Sequence, residues 1–283
     1  MNQTVQYEVY PKENFYFAIK VLFSILFYSL LGYVLYRLND ISNPIMKVYA
    51  NIILFYGSIL LLIILIRMGL FVGYIKGNGI KITEKQFPEI YQSIVRQSQQ
   101  LQLSKVPDAY LLQNGGVINA FAARFVGRNY VIIYSEVLAL AYSKNPETLD
   151  FVVGHELGHV KCKHILKRML LFPSVIIPFL NSAYSRACEY TCDRIGHALA
   201  PTGAQTGLLL LAAGRDLYNE VNAKEFMLQQ NREDGFWNWF AEKLSSHPHL
   251  TKRVAQFPEV ELADPRKVVK PIESTDHSKY LPV

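Results

Sequence analysis

Residues 145–159 read Asn145-Pro146-Glu147-Thr148-Leu149-Asp150-Phe151-Val152-Val153-Gly154-His155-Glu156-Leu157-Gly158-His159, and they decide how the chain is understood. They open with helix-start chemistry. Asn145 can cap, Pro146 suits the first helical position, and Glu147 meets the positive end of the helix dipole. No proline follows before Leu171, and Lys161, Lys163, Lys167 and Arg168 crowd the later turns, so a helix is expected over 148–171. Residues four apart share one helical face, so His155 and His159 can reach one metal ion. Glu156 sits beside the first of them and can act as a general base on water activated by that metal. Leu157 and Gly158, between the histidines, read as permissive positions.

A catalytic zinc keeps one position open and takes three protein ligands. A third histidine in the pattern H-E-x-x-H-x-x-G-x-x-H is excluded. Cys162 and Ile165 fill the glycine and histidine positions, and His164 is one residue out of register. The stretch Ser185-Arg186-Ala187-Cys188-Glu189-Tyr190-Thr191-Cys192-Asp193 offers a carboxylate instead. Glu189 and Asp193 are four apart on one expected helical face. Glu189 can ligate, while Asp193 can accept a hydrogen bond from a ligand histidine and orient its ring. Cys188 and Cys192 also share a face, but Glu189 gives the more coherent ligand set.

Two further segments gain weight beside this pair. Ser246-His247-Pro248, followed by Arg253, supplies a histidine able to donate to an oxyanion. Residues 115–122 read as a strand entered from the Gly115-Gly116 turn, and 130–134 as its partner. The outer edge of such a hairpin can pair with an extended peptide.

Taken together, Asn119-Ala120-Phe121-Ala122, His155-Glu156-x-x-His159, Ser185-Arg186-x-x-Glu189-x-x-x-Asp193 and Ser246-His247-Pro248 with Arg253 resemble one family. It is the membrane-bound zinc metallopeptidase family of HtpX and the CaaX prenyl endopeptidase. The motifs run in the family's order over roughly residues 110–253, about half the chain. The resemblance implies a zincin-like metallopeptidase domain, α+β and mostly helical, with a small β-sheet. It implies one Zn2+ per chain held by His155, His159 and Glu189, with Glu156 as base and Asp193 behind the ligands. Asn119 and His247 would sit near the substrate and the oxyanion, with Ala120 and Arg253 beside the substrate. Two departures are visible: Cys192 stands where an alanine commonly precedes the aspartate, and HtpX-type members carry two spans between the two motif helices. Here only residues 169–180 are apolar, and they contain Pro173 and Pro178. Twelve residues cannot span a bilayer as a helix, so a loop or short helix is expected there, packed on the domain or dipping into the interface.

The chain has 283 residues, 51% of them hydrophobic, and the apolar excess lies at the front. Residues 15–36 are interrupted only by Lys20, and the apolar pattern over 48–72 carries no charge before Arg67. Each run meets the roughly 20-residue requirement of a transmembrane helix. Lys20 and Arg67 lie close enough to the ends to snorkel. Residues 1–80 therefore read as a membrane anchor, 81–258 as the peptidase domain and 259–283 as an extended tail. Arg37 and Lys47 lie in the connecting loop, against Lys12, Lys76, Lys81 and Lys85 on the other side, so the positive charge leans to a cytoplasmic catalytic domain. The net charge of +6 is too modest and scattered for nucleic acid and suits a domain held against anionic lipid. Polypeptides, membrane proteins in particular, are the expected substrates. Residues 88–101 read as an amphipathic helix and 203–218 as an apolar one. Phe236, Trp237, Trp239 and Phe240 are expected to pack in the core.

Overall fold

The computed structural model describes residues 4–38, 42–113, 120–142, 146–214, 216–233 and 235–257. Two long helices come first, α1 (Pro11–Arg37) and α2 (Pro44–Asn78). Only 11% of the most apolar window of α1 is buried, and none of that of α2, so neither is the core helix of a water-soluble domain. Each is long enough to cross a hydrocarbon layer of about 30 Å. Membrane association follows, because leucine and isoleucine surface on this scale needs a non-aqueous neighbour.

The helices extend beyond the apolar runs, and their extra turns are built into the rest of the fold. On α1, Glu13, Lys20 and Ser24 are buried. The expectation that Lys20 snorkels is corrected: its Nζ donates to Asn181 Oδ1 at 3.1 Å and lies 5.4 Å from the centre of the Tyr184 ring. This stretch of α1 faces protein, so the ammonium finds its partners there. On α2, Val72 and Ile75 are buried in the last turns.

A four-stranded sheet follows, formed by β1 (Ile80–Lys81), β2 (Asp108–Leu112), β3 (Ala120–Phe125) and β4 (Arg128–Tyr134) in the order β1-β2-β4-β3. β2 and β4 run parallel, and the two other pairings are antiparallel. Side chains alternate along a strand, and β4 is covered on both faces. Val131 and Ile133 point into the main core, whereas Tyr130 and Ile132 pack with Val72 and Ile75 of α2. That double burial explains the unbroken apolar run of this strand. The hairpin exists, but its turn is Val126-Gly127, with φ of 44° and 76°. β3 is described from Ala120, so Ala120, Phe121 and Ala122 of the strand expected over 115–122 are in it, and the earlier residues lie outside the described ones. Gly115, Gly116 and Asn119 lie outside the described residues, as does the tail 259–283.

The helices are α3 (Pro88–Gln100), α4 (Ser135–Tyr142), α5 (Pro146–Lys161), α6 (His164–Leu170), α7 (Leu180–Leu199), α8 (Gly203–Ala213), α9 (Ala223–Arg232), α10 (Phe236–Leu244) and α11 (Leu250–Val254). The single helix expected over 148–171 is broken: α5 ends at Lys161, Lys163 has φ of 55°, and α6 turns away from the α5 axis. The segment 169–180 forms the end of α6 and a 3-10 turn at Phe172–Ile176. α8 stops before residue 218 because Gly214 takes φ of 82°.

α5 and α7 pack closely through glycine. A Cβ on Gly196 would meet the ring and carbonyl oxygen of Phe151 at 2.9 Å. One on Gly158 would lie 3.2 Å from Cys192 Sγ and 3.3 Å from Cys192 Cα. Gly158 is thus not a permissive position; it lets the two motif helices approach. A second correction concerns α10. Phe236 stacks on Phe240, yet Trp237 is 77% and Trp239 50% exposed, so the aromatic cluster stands outside the core.

Candidate metal centre

α5 presents His155 and His159 one turn apart, and α7 brings Glu189 against them. His155 Nε2 lies 3.4 Å from Glu189 Oε2, and His159 Nε2 lies 3.4 Å from Glu189 Oε1. Atoms held ~2.0–2.2 Å from one tetrahedral ion lie about 3.4 Å apart. Two imidazole nitrogens and a carboxylate converging at that separation fit a zinc ion. Cys192 Sγ also approaches a nitrogen of each ring, within 4.8 Å. However, it stands 3.6 Å from His164 Nδ1, on the Nδ1 side of the pair. Burial also raises its thiol well above the usual range, which keeps it protonated.

The charges behind these groups are arranged in layers. Asp193, one turn beyond Glu189, pairs through Oδ1 with His155 Nδ1 at 2.9 Å. Arg253, from α11, donates to Asp193 through Nε at 2.8 Å and Nη2 at 2.6 Å, and its Nη1 lies 3.7 Å from Glu189. Burial opposes charge on Asp193, but the Arg253 guanidinium and the His155 contact outweigh it and lower the carboxyl. Burial likewise opposes the charge on Glu189, and hydrogen bonds from the two rings hold it well below its ordinary value. Burial would lower His155, yet Asp193 and Glu189 together raise it to about 10. Arg253, expected beside the substrate, is buried with its fork engaged by Asp193.

Glu156 is buried beside the pair, and its Oε2 has no hydrogen-bond partner. Burial raises its carboxyl above the ordinary range. An unsatisfied buried carboxylate oxygen is costly unless a ligand or water meets it. Here it opens onto a cleft whose floor is His155, Glu156, His159 and Glu189. Ala120, Phe121 and Ala122 of β3 line one wall, and Ile165, Arg168 and Ser185 the other. His247 stands at the rim with its side chain 63% exposed and Nε2 3.7 Å from Glu189 Oε1.

Three contributors escaped the sequence reading. Arg186 donates through one nitrogen to the carbonyl oxygens of Glu242, Lys243 and Ser245, at 2.6, 3.0 and 2.7 Å. A cation on the carbonyl end of α10 fixes where the Ser246-His247 loop begins. His164, set aside as out of register, has Nδ1 3.0 Å from His159 Nδ1. Its Nε2 lies 3.0 Å from Oε1 of Glu13, on α1. Helical periodicity carries no signal for these contacts, because they depend on the break at Lys163 and on pairing across 151 residues.

The sequence family model described as Peptidase family M48 matches residues 84–177 and 171–261. The plastoglobule-localized metallopeptidase 48 of Arabidopsis thaliana is 24% identical over 177 residues, 56% of this chain and 50% of that protein. The beta-barrel assembly-enhancing protease of Yersinia pestis is 29% identical over 136 residues, 47% of this chain and 26% of that one. The chain thus spans at most half the length of these curated relatives. The crystal structure of S. mikatae Ste24p superposes with a TM-score of 0.50 at 15% identity, over 88% of this chain and 66% of that one, a likeness of fold.

Proposed function

The chain belongs to peptidase family M48, and on that premise we propose that it is a membrane-anchored zinc endopeptidase cutting membrane or membrane-proximal polypeptides. The observation that carries this reading is the convergence of His155, His159 and Glu189 at 3.4 Å, with the unpartnered Glu156 carboxylate beside them. Zinc bound by these three groups supplies a Lewis acid and makes water acidic enough to attack near neutral pH. Glu156 accepts the proton of the attacking water and returns it to the leaving amine. Its raised carboxyl pKa suits a base working near neutrality. Asp193 fixes the His155 ring, and Arg253 neutralises Asp193. His247 at the rim can donate to the oxyanion. The peptide lies extended along β3, which is last in the sheet order and has a free outer edge among the described residues.

The membrane geometry agrees with such substrates. α1 and α2 cross the bilayer, and the charge bias leans to a peptidase unit in the cytoplasm. Residues 1–80 are the anchor and 81–258 the peptidase, with the ends of both anchor helices docked into the latter. The Tyr28 hydroxyl, within the apolar run of α1, donates to the carbonyl of Leu170 at 2.9 Å. That bond ties the end of α6 to the membrane helix, near the exposed Phe172 and Ile176.

The test is zinc content and casein cleavage by detergent-purified protein, wild type against Glu156→Gln. One zinc in both, with cleavage lost in the variant by about 10²–10⁴-fold, is expected. Zinc in both and cleavage in neither would point to a processing protease for one lipidated or precursor substrate, or to a non-catalytic zinc-stabilised scaffold. Zinc in neither would refute the ligand set.

A further inference from the structure

We propose that Glu13 and His164 hold the ligand ring of His159, so that the first turn of the membrane helix is part of the metal centre. This rests on the zinc reading above and extends it to residues that no motif marks.

The argument is one of hydrogen-bond inventory. Glu13 is buried, and both carboxylate oxygens are used: Oε1 faces His164 Nε2 at 3.0 Å and Lys167 Nζ at 3.7 Å, and Oε2 accepts from Thr191 Oγ1 at 2.5 Å. The Thr191 oxygen in turn accepts from the Tyr10 amide at 3.0 Å, and its single proton goes to Glu13 rather than to the more distant carbonyl oxygen of Ala187 at 3.4 Å. An ionised carboxylate only accepts, so His164 Nε2 carries the proton. A neutral imidazole then has a lone pair at Nδ1, 3.0 Å from His159 Nδ1. His159 must donate from Nδ1, which leaves its Nε2 lone pair facing Glu189 and the metal position. With His164 neutral and the Nε2 lone pair of His159 turned to a metal, one proton arrangement serves these contacts, and it is the tautomer that a ligand histidine needs.

The two ligand rings are thereby supported alike. His155 leans on Asp193 directly, and His159 leans on Glu13 through a second ring. The break after α5 serves this arrangement, since a continued helix would carry His164 away from His159. Lys163 takes the left-handed conformation that makes the return possible. The same pocket allows a different use: Glu13, His164 and Cys188 could hold a second ion of their own, and the experiment must separate the two.

The experiment uses full-length protein in detergent, with zinc affinity read by competition against a chromophoric chelator. Wild type, Glu13→Gln and His164→Gln are compared, with zinc per chain at saturation and the visible spectrum of the cobalt-substituted forms. The expected result is one metal per chain throughout, a zinc affinity lower by about 10–100-fold in both variants, and an altered cobalt spectrum. Unchanged affinity and an unchanged spectrum in the variants would overturn the proposal. So would two metals per chain in the wild type with one lost in His164→Gln. Should His164→Gln fail to fold, Glu13→Gln decides alone, because it keeps the shape and removes the charge that holds the proton on His164 Nε2. A wild type that binds no zinc would refute the underlying reading, a result distinct from zinc-binding variants that match the wild type.

Discussion

The floor and the rim of the cleft are built on different terms. The floor is His155, Glu189, Asp193 and Arg253, all buried and locked by paired charges, with the buried and unpartnered Glu156 among them. The rim is β3, half-buried along its length, and His247, mostly exposed on a loop. Buried charges tolerate no missing partner, whereas an exposed rim can change shape at little cost in stability. The floor therefore ties the geometry of the candidate ligands to folding, and the rim is free of that tie.

The hardest blow to that contrast falls on the floor. Asp193→Asn leaves the Arg253 guanidinium buried without its counter-charge, and a loss of about 3–5 kcal/mol is expected, with zinc lost too. Urea unfolding and metal content measure it; a variant as stable as wild type would mean that the floor is not charge-locked. His247→Ala should act only at the rim, lowering kcat by about 10²-fold while zinc content and unfolding midpoint stay put. A fall in zinc content would place His247 in the floor instead. Gly196→Ala forces a methyl into Phe151, and about 1–3 kcal/mol of destabilisation is expected from thermal unfolding. Zinc affinity should weaken alongside, since Glu189 rides on the displaced helix; undiminished affinity would separate ligand geometry from helix spacing. The gentlest effect is a pH slope in metal-free protein. His155 is raised from 6.5 to about 10 in the folded state. Its stabilising contribution is therefore complete below pH 6.5 and drains away as pH rises toward 10, at no more than about 1.4 kcal/mol per pH unit. Unfolding midpoints at pH 6.5, 8 and 10 measure this, and zinc loading should flatten the slope.

The same division explains what was legible in the sequence. The floor residues announce themselves because helical period alone brings His155 to His159, and Glu189 to Asp193. The membrane helices are equally plain, since length and hydropathy suffice. The rim was less legible. The hairpin was read from its two strands, but the positive φ of Val126 at its turn was not foreseen, because turn chemistry favours glycine or asparagine there. Arg186, His164 and Glu13 were missed for a common reason. Each acts across a separation that no local pattern encodes, from 56 residues for Arg186 with Glu242 to 151 for Glu13 with His164. Lys20 was misread because an apolar run does not say which of its sides meets lipid and which meets protein.

Arg253 lies 60 residues beyond the aspartate it neutralises. A growing chain has therefore made both histidines, Glu189 and Asp193 well before it makes the cation that lets Asp193 be buried. Until α11 docks, the α5–α7 pair carries an acid with no counterion, and the ring of His155 has no settled support. Synthesis order thus builds in a delay: the support behind His155 settles only once Arg253 has been made and α11 has docked.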